Sequence, residues 1–214
     1  MCPIVGSIAL LDPGGALTAA KAVEKFGTMH IVSGFADPGF EAVAKGSNGL
    51  LAYALHPRAE YPFLDDLVDK VKACGYRAIV FVSEGAYYSR RERDIINGYL
   101  QRADSGDPRH QASLTWEDAA WIKQHTKLPL ILKGIATAED AKLAVEHGVD
   151  VIYVSNHGGR QLDHGRAAID LLPEVVSAAR GKAEFVVDGG FVRGSDVLKG
   201  LARGAAMVGI GKIQ

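Results

Sequence analysis

The chain has 214 residues, a length that suits one domain with a sizeable core. Lys and Arg total 24 against 25 Asp and Glu, for a formal net charge of -1, so no charge excess indicates nucleic acid or an anionic membrane. No apolar run approaches the roughly 18 residues that span a bilayer. With no signal-peptide pattern and two widely spaced cysteines, Cys2 and Cys74, we expect a cytoplasmic protein without a metal site.

Eight short apolar runs recur along the chain and predict β-strands. Each is rich in Val, Ile, Leu or Ala and lacks regular polar alternation, which is typical of parallel strands covered on both faces. The predicted strands are Pro3–Leu10, Met29–Gly34, Leu50–Leu55, Ala78–Ser83, Pro129–Gly134, Val151–Asn156, Glu184–Gly189 and Ala206–Gly211.

Amphipathic segments with a 3.6-residue period separate these runs and predict helices. Four of them are followed by a glycine, the residue that accepts a left-handed backbone at a helix end: Gly27, Gly75, Gly148 and Gly204. A fifth begins at Thr115, an N-cap residue followed by acids. The predicted helices are Ala16–Phe26, Phe63–Cys74, Thr115–His125, Ala138–His147 and Ser195–Arg203.

Alternating strands and helices predict a parallel sheet with right-handed crossovers, and eight units favour a closed (β/α)8 TIM barrel. We expect one domain over residues 1–214, with the last helix of the barrel missing. One connection is longer and more polar than the others. This segment, Glu84–Ser113, is predicted to form a short helix and a loop over the barrel mouth.

Active sites of such barrels lie at the C-terminal ends of the strands, where this sequence places several polar residues. His157 follows a predicted strand, and Arg160 comes three residues later. A histidine that takes a proton beside an arginine that binds a carboxylate suits the oxidation of a 2-hydroxy acid. The alternative for such a histidine is an ordinary loop imidazole.

Two further strand ends suggest an anion site. Arg193 lies in the sequence DGGFVRG, and Lys212 follows the sequence GIG, where barrels of this type commonly bind phosphate. Lys133 ends another strand and is placed to hold an electron-rich cofactor edge or to form a Schiff base. The alternatives are two tight turns and a solvated lysine.

The segment Leu128–Gly211 resembles the FMN-dependent 2-hydroxy-acid oxidases and dehydrogenases, the family of glycolate oxidase, lactate oxidase and mandelate dehydrogenase. The most specific run is LPLILKGIATAEDAKLAVEHGVDVIYVSNHGGRQLDHG, and Ser83–Gly98 resembles another family segment. The resemblance implies a barrel that binds FMN and oxidises a small L-2-hydroxy acid to the 2-keto acid.

The resemblance also assigns roles to residues. It implies that His157 is the base, that Arg160 and a second, mobile Arg91 bind the substrate, that Glu84 orients the histidine, and that Lys133 lies near the flavin N1–C2 edge. Hydrogen bonds to the flavin would come from Ser33 and Ser155. The ribityl-phosphate arm would be held by Asp188, Gly189, Gly190, Arg193, Gly211 and Lys212.

The chain also departs from the family pattern. The family's N-terminal segment is absent, and its Gln-X-Tyr pair matches Tyr53 and Leu55. A flavin-binding Thr falls at Val82, and one phosphate-site Arg falls at Val192. A barrel that binds flavin weakly or not at all is therefore one alternative, and a phosphate-binding barrel isomerase is another. The missing helix would expose apolar surface, so a homo-oligomer is possible.

Overall fold

The computed structural model describes residues 1–56, 61–86, 92–98, 112–162 and 164–211. These residues form one sheet of seven parallel strands in sequential order. The strands are β1 (Met29–Ser33), β2 (Leu50–Leu55), β3 (Ala78–Val82), β4 (Leu130–Ile135), β5 (Val151–Val154), β6 (Glu184–Asp188) and β7 (Met207–Gly209).

Helices alternate with the strands on the outside of the sheet, as the sequence predicts. Within the described ranges they are α1 (Gly15–Phe26), α2 (Phe40–Gly46), α3 (Tyr61–Ala73), α4 (Glu92–Ile96), α5 (Trp116–Thr126), α6 (Ala138–Glu146), α7 (Ala168–Ala179) and α8 (Gly194–Ala202). The Thr115 hydroxyl accepts a hydrogen bond from the Asp118 N–H, and the Asp118 carboxylate accepts one from the Thr115 N–H. This reciprocal cap confirms the predicted start of α5.

The predicted strand Pro3–Leu10 is wrong. Proline has no N–H to donate to a ladder, and the chain turns at Gly6 into a short 3-10 helix over Ile8–Leu10. Leu10 is 69% exposed, so the apolar run that suggested a strand does not mark a buried segment. The other seven predicted strands are confirmed, each to within two residues at either end.

The first two residues close the barrel in place of that strand. The Met1 amino group donates to the carbonyl of Val208, and the Ile210 N–H donates to the carbonyl of Met1. On the other side, the Cys2 N–H donates to Met29, and the Ile31 N–H donates to Cys2. Met1 and Cys2 thus join β7 to β1, and the sheet has no open edge between them.

Two apolar layers lie on the two faces of the sheet. Mostly aliphatic residues face the barrel interior, among them Ile31, Ala52, Ala54, Val80 and Val82. The layer between the strands and the helices holds leucines and aromatic residues together with further aliphatic ones, including Val32, Tyr53, Leu55, Phe81, Leu130 and Leu172. This two-residue alternation decides which strand residues reach the site at the barrel mouth.

The expected position of the family's Gln-X-Tyr pair needs a correction. Tyr53 and Leu55 lie in the helix-facing layer, whereas Ala52 and Ala54 face the barrel interior. Because strand side chains alternate, an alignment shifted by one residue exchanges the two faces completely. Alanine offers no hydrogen bond, so the departure from the family pattern remains.

A buried histidine in β1 makes stability depend on pH. His30 is 2% exposed, and neither ring nitrogen has a hydrogen-bond partner among the described residues. Burial lowers the pKa of His30 below its ordinary value of 6.5, although the neighbouring Cys2 backbone opposes this shift in part. As pH falls below 6.5, the unfolded chain takes up a proton that the folded chain does not. Stability is therefore lost as pH falls towards the lower pKa of the folded state.

We expect His30→Leu to remove this dependence. Between about pH 7.5 and about pH 5.5, the wild-type protein should lose more unfolding free energy than the variant, because only the wild type carries this linkage. Urea unfolding of both proteins at the two pH values measures the difference. Equal losses in the two proteins would show that His30 does not contribute.

Candidate active site

Three adjacent strands bring a lysine, a glutamate and a histidine together at the barrel mouth. Lys133 lies in β4, Glu84 follows β3 in a 3-10 turn, and His157 follows β5 in another. Glu84 Oε1 accepts hydrogen bonds from Lys133 Nζ and from His157 Nδ1, the latter at 2.9 Å. The Lys133 and Glu84 side chains are only 4% and 8% exposed, whereas His157 is 31% exposed. One buried carboxylate therefore links a buried cation to an accessible imidazole.

Gly134 permits this arrangement. It lies at a bulge in the pairing of β4 with β5 and has a φ of +111°. A Cβ atom at this position would lie 2.5 Å from Glu84 Oε2 and 2.9 Å from the Glu84 backbone nitrogen. A side chain at Gly134 would therefore be strained and would displace Glu84.

The charge state of Lys133 is set by opposing effects. Burial lowers the pKa of Lys133 to about 8, and the Asp188 carboxylate acts in the opposite direction. Contact with Glu84 also favours the charged ammonium. Glu84 Oε2 is buried and has no hydrogen-bond partner among the described residues. This second oxygen lies next to Gly134, 2.5 Å from where a Cβ atom of that residue would be.

The loop after β5 fixes the position of His157. The Ser155 hydroxyl accepts a hydrogen bond from the His157 N–H at 3.1 Å, and the Asn156 side chain accepts one from the Gly159 N–H at 3.1 Å. His157, Gly158 and Gly159 all have positive φ, which explains the paired glycines. The N–H of Arg160 then donates to the carbonyl of His157, so the predicted base and carboxylate clamp belong to one tight turn.

The two serines predicted to contact flavin are buried at the ends of β1 and β5. Ser33 Oγ accepts a hydrogen bond from the Phe35 N–H at 3.1 Å, as Ser155 Oγ does from His157. Each hydroxyl keeps its own hydrogen for another acceptor. Phe35 is 44% exposed and lies against the His56 ring, with a centroid distance of 4.7 Å.

The predicted ribityl-phosphate residues form a second group at the ends of β6 and β7. Asp188 Oδ2 accepts a hydrogen bond from the Tyr153 hydroxyl, whereas Asp188 Oδ1 is buried with no partner among the described residues. Gly189 and Gly190 follow with φ of +93° and +80°, and both are exposed. Gly211 is also exposed. Arg91 and Lys212 lie outside the described residues.

Part of this second group fits FMN and part does not. Asp188 Oδ1 is an unsatisfied acceptor that suits a hydroxyl donor of a ribityl chain. Arg193 is an exposed cation at the start of α8, where helix geometry favours phosphate. However, the Asp196 carboxylate already accepts hydrogen bonds from the N–H groups of Val192 and Arg193, and it would repel a dianion. The ribityl position therefore fits better than the phosphate position.

A cavity of about 630 Å³ opens beside this site. It shares Glu84 and Ser155 with the site, but Phe81 and Leu132 in its wall belong to the helix-facing layer. The cavity therefore lies behind the strands and not over the barrel axis. In the described part of the chain, no three metal-ligating side chains cluster, and no helix has the length and apolar character of a membrane span.

Sequence reasoning missed one residue of the site, Tyr153. Its side chain is fully buried in the barrel interior, and its hydroxyl donates to Asp188 Oδ2 at 2.8 Å. Burial raises the pKa of Tyr153 well above its ordinary value, and the Asp188 carboxylate raises it further. The sequence does contain a signal for Tyr153. Side chains alternate between the two faces of a strand, so Tyr153, two residues before Ser155, faces the same side of the sheet as that serine.

Comparison with known proteins places this geometry in a family. The model of the FMN-dependent dehydrogenases matches residues 1–106 and 99–214. Human 2-hydroxyacid oxidase 2 is 39% identical over 95% of this chain, and spinach (Spinacia oleracea) glycolate oxidase is 38% identical over 95%. A crystal structure of mandelate oxidase with (S)-2-phenylpropionate superposes with a TM-score of 0.88 at 36% identity, covering 97% of this chain and 62% of that one. The chain also spans 62% of each of the two oxidases. This chain belongs to the FMN-dependent dehydrogenase family.

Proposed function

We propose that the chain binds FMN at the C-terminal mouth of the barrel and oxidises a small L-2-hydroxy acid to the 2-keto acid. The observation that carries this proposal is the bridge from Glu84 Oε1 to His157 Nδ1 and Lys133 Nζ. Relatives named as 2-hydroxyacid oxidase and glycolate oxidase support the substrate class.

The bridge gives His157 a defined role. A carboxylate on Nδ1 selects the tautomer with its hydrogen on that nitrogen, so Nε2 is the basic nitrogen. It also stabilises the imidazolium that forms when Nε2 takes a proton from the substrate. Accordingly, His157 acts as the general base and Glu84 orients it.

Arg160 serves as the carboxylate clamp. Its backbone is fixed to His157 within one turn, and its side chain is partly exposed. A guanidinium binds a carboxylate through two parallel hydrogen bonds, which fixes the C2 hydroxyl of the acid relative to the base. FMN, when bound, accepts the two electrons that the hydroxy acid loses. Lys133 supplies positive charge beside the flavin, and Ser33 and Ser155 supply hydroxyl donors to it.

Four residues favour the alternative of weak flavin binding. Ala52, Ala54 and Val82 face the interior where the family has polar side chains, and Asp196 opposes a phosphate. Loss of several hydrogen bonds at about 1 kcal/mol each would weaken binding by orders of magnitude.

An absorption experiment separates the two candidates. The protein is saturated with FMN, excess flavin is removed, and glycolate, L-lactate or L-mandelate is added without oxygen. We expect the flavin band to remain with the protein and to bleach with at least one of the acids. A retained band that no acid bleaches would contradict the proposed reaction. Flavin that washes away would favour the non-catalytic alternative.

A further inference from the structure

In the described part of the barrel interior, the Tyr153 side chain contacts two charged residues of the site, Lys133 and Asp188. Tyr153 is fully buried on β5, and Lys133 Nζ lies 5.5 Å from its ring centroid. Its hydroxyl donates to Asp188 Oδ2 at 2.8 Å. In the buried interior cluster, whose other members are Ala, Val, Ile and Met, Tyr153 is the aromatic residue, and its hydroxyl reaches from β5 to the adjacent strand β6.

The backbone of β7 leaves room for this contact. A Cβ atom at Gly209 would lie 2.6 Å from the Tyr153 hydroxyl oxygen and 3.1 Å from the Asp188 Cβ. Gly209 itself is buried and does not have a positive φ, so its need for glycine is one of space. The absence of a side chain there admits the hydroxyl and the carboxylate together.

The two carboxylate oxygens of Asp188 differ in their hydrogen bonding. Oδ2 is held by Tyr153, which fixes the carboxylate's rotation. Oδ1 is buried without a partner among the described residues, which is costly for a charged oxygen unless a ligand donor completes it. A hydroxyl group can donate a hydrogen bond to this oxygen without bringing a further charge into the site.

We infer that Tyr153 is a positioning residue for the flavin: its hydroxyl holds Asp188 so that Oδ1 accepts a hydrogen bond from a ribityl hydroxyl. This inference rests on the proposed binding of FMN but not on turnover. It adds to the site a residue whose contact with the cofactor is indirect, through Asp188.

Fluorescence titration of FMN with Tyr153→Phe tests the inference. The variant keeps the ring under Lys133 and removes only the hydroxyl. We expect its dissociation constant for FMN to rise about tenfold, the effect of losing one oriented charged hydrogen bond. Tyr76→Phe is the matched control, because the Tyr76 hydroxyl donates to the Phe40 carbonyl in the helix-facing layer. It should bind FMN as the wild type does.

Two further measurements distinguish positioning from general damage. Lumiflavin carries the flavin ring without a ribityl chain, so Tyr153→Phe should bind it as tightly as the wild type. In an Asp188→Ala background, Tyr153→Phe should cause no additional loss of FMN affinity, because no side-chain acceptor remains for the hydroxyl to hold. Unchanged FMN affinity, or an equal loss for lumiflavin, would overturn the inference. A wild-type protein that binds no FMN would instead overturn the proposed function as well.

Discussion

Replacement of His157 by asparagine is expected to slow anaerobic flavin reduction by a 2-hydroxy acid by about a hundredfold to ten-thousandfold. This is the usual effect of removing a general base from an enzyme. Asparagine is the suitable replacement because His157 has a φ of +56°, a conformation that asparagine tolerates better than alanine. FMN affinity should stay within about threefold of the wild type, since the imidazole acts on the substrate. Stopped-flow absorbance and a flavin titration measure the two quantities.

His125→Asn is the control for this substitution. His125 is an exposed histidine on α5 whose ring stacks on Trp121 at a centroid distance of 4.2 Å. Its replacement should leave the reduction rate unchanged. If His157→Asn reduces the flavin at the wild-type rate, another group takes the proton and the assignment of the base is wrong.

Glu84→Gln is expected to lower the free energy of unfolding strongly. The substitution leaves the Lys133 ammonium, whose side chain is 4% exposed, without its contacting counter-charge. Breaking a buried pair on one side costs about 3–5 kcal/mol, which lowers Tm by roughly 6–20 °C in a domain of this size. The loss should shrink as pH rises towards about 8, because without Glu84 the pKa of Lys133 falls below its wild-type value of about 8 and release of the proton removes the unpaired charge. Thermal unfolding near neutral and alkaline pH measures both effects.

A double variant tests whether the loss arises from the unpaired charge. Glu84→Gln combined with Lys133→Met should recover most of the stability, because no buried charge remains. The matched control is Asp66→Asn, which breaks an exposed pair with Lys70, 63% and 55% exposed, and should leave Tm unchanged. A Glu84→Gln variant as stable as the wild type would mean that Lys133 does not depend on Glu84.

The alternation of strands and helices could be predicted because both depend on local pattern. The runs Leu50–Leu55 and Ala78–Val82 are apolar for their whole length, and a strand covered on both faces requires that. Pro3–Leu10 is also rich in Ile, Val, Ala and Leu, but its proline has no N–H for a ladder and the chain turns at Gly6. The closure of the sheet by Met1 and Cys2 depends on contacts between distant residues, and no local pattern predicts it.

The site was predictable where it lies on loops after strands. His157, Lys133 and Glu84 each follow or end an apolar run, and the structure brings them into one hydrogen-bonded group. It was harder to predict which face of β2 each residue occupies. An alignment shifted by one residue placed the family's pair on Tyr53 and Leu55, whose side chains face the helices. Tyr153 was missed because a tyrosine inside an apolar run suggests core packing, and its partner Asp188 lies 35 residues away.

The closure of the sheet also constrains how the protein folds. The hydrogen bond from Met1 to Val208 joins residues separated by 207 positions, so it belongs to the slowest class of contact to form. Cys2 can pair with β1 early, but the other side of the Met1–Cys2 segment stays unpaired until the segment from Val208 to Ile210 is available. An unpaired strand edge recruits other chains, so nascent or partly unfolded molecules are the species at risk of aggregation. The yield of refolding should therefore fall steeply as protein concentration rises.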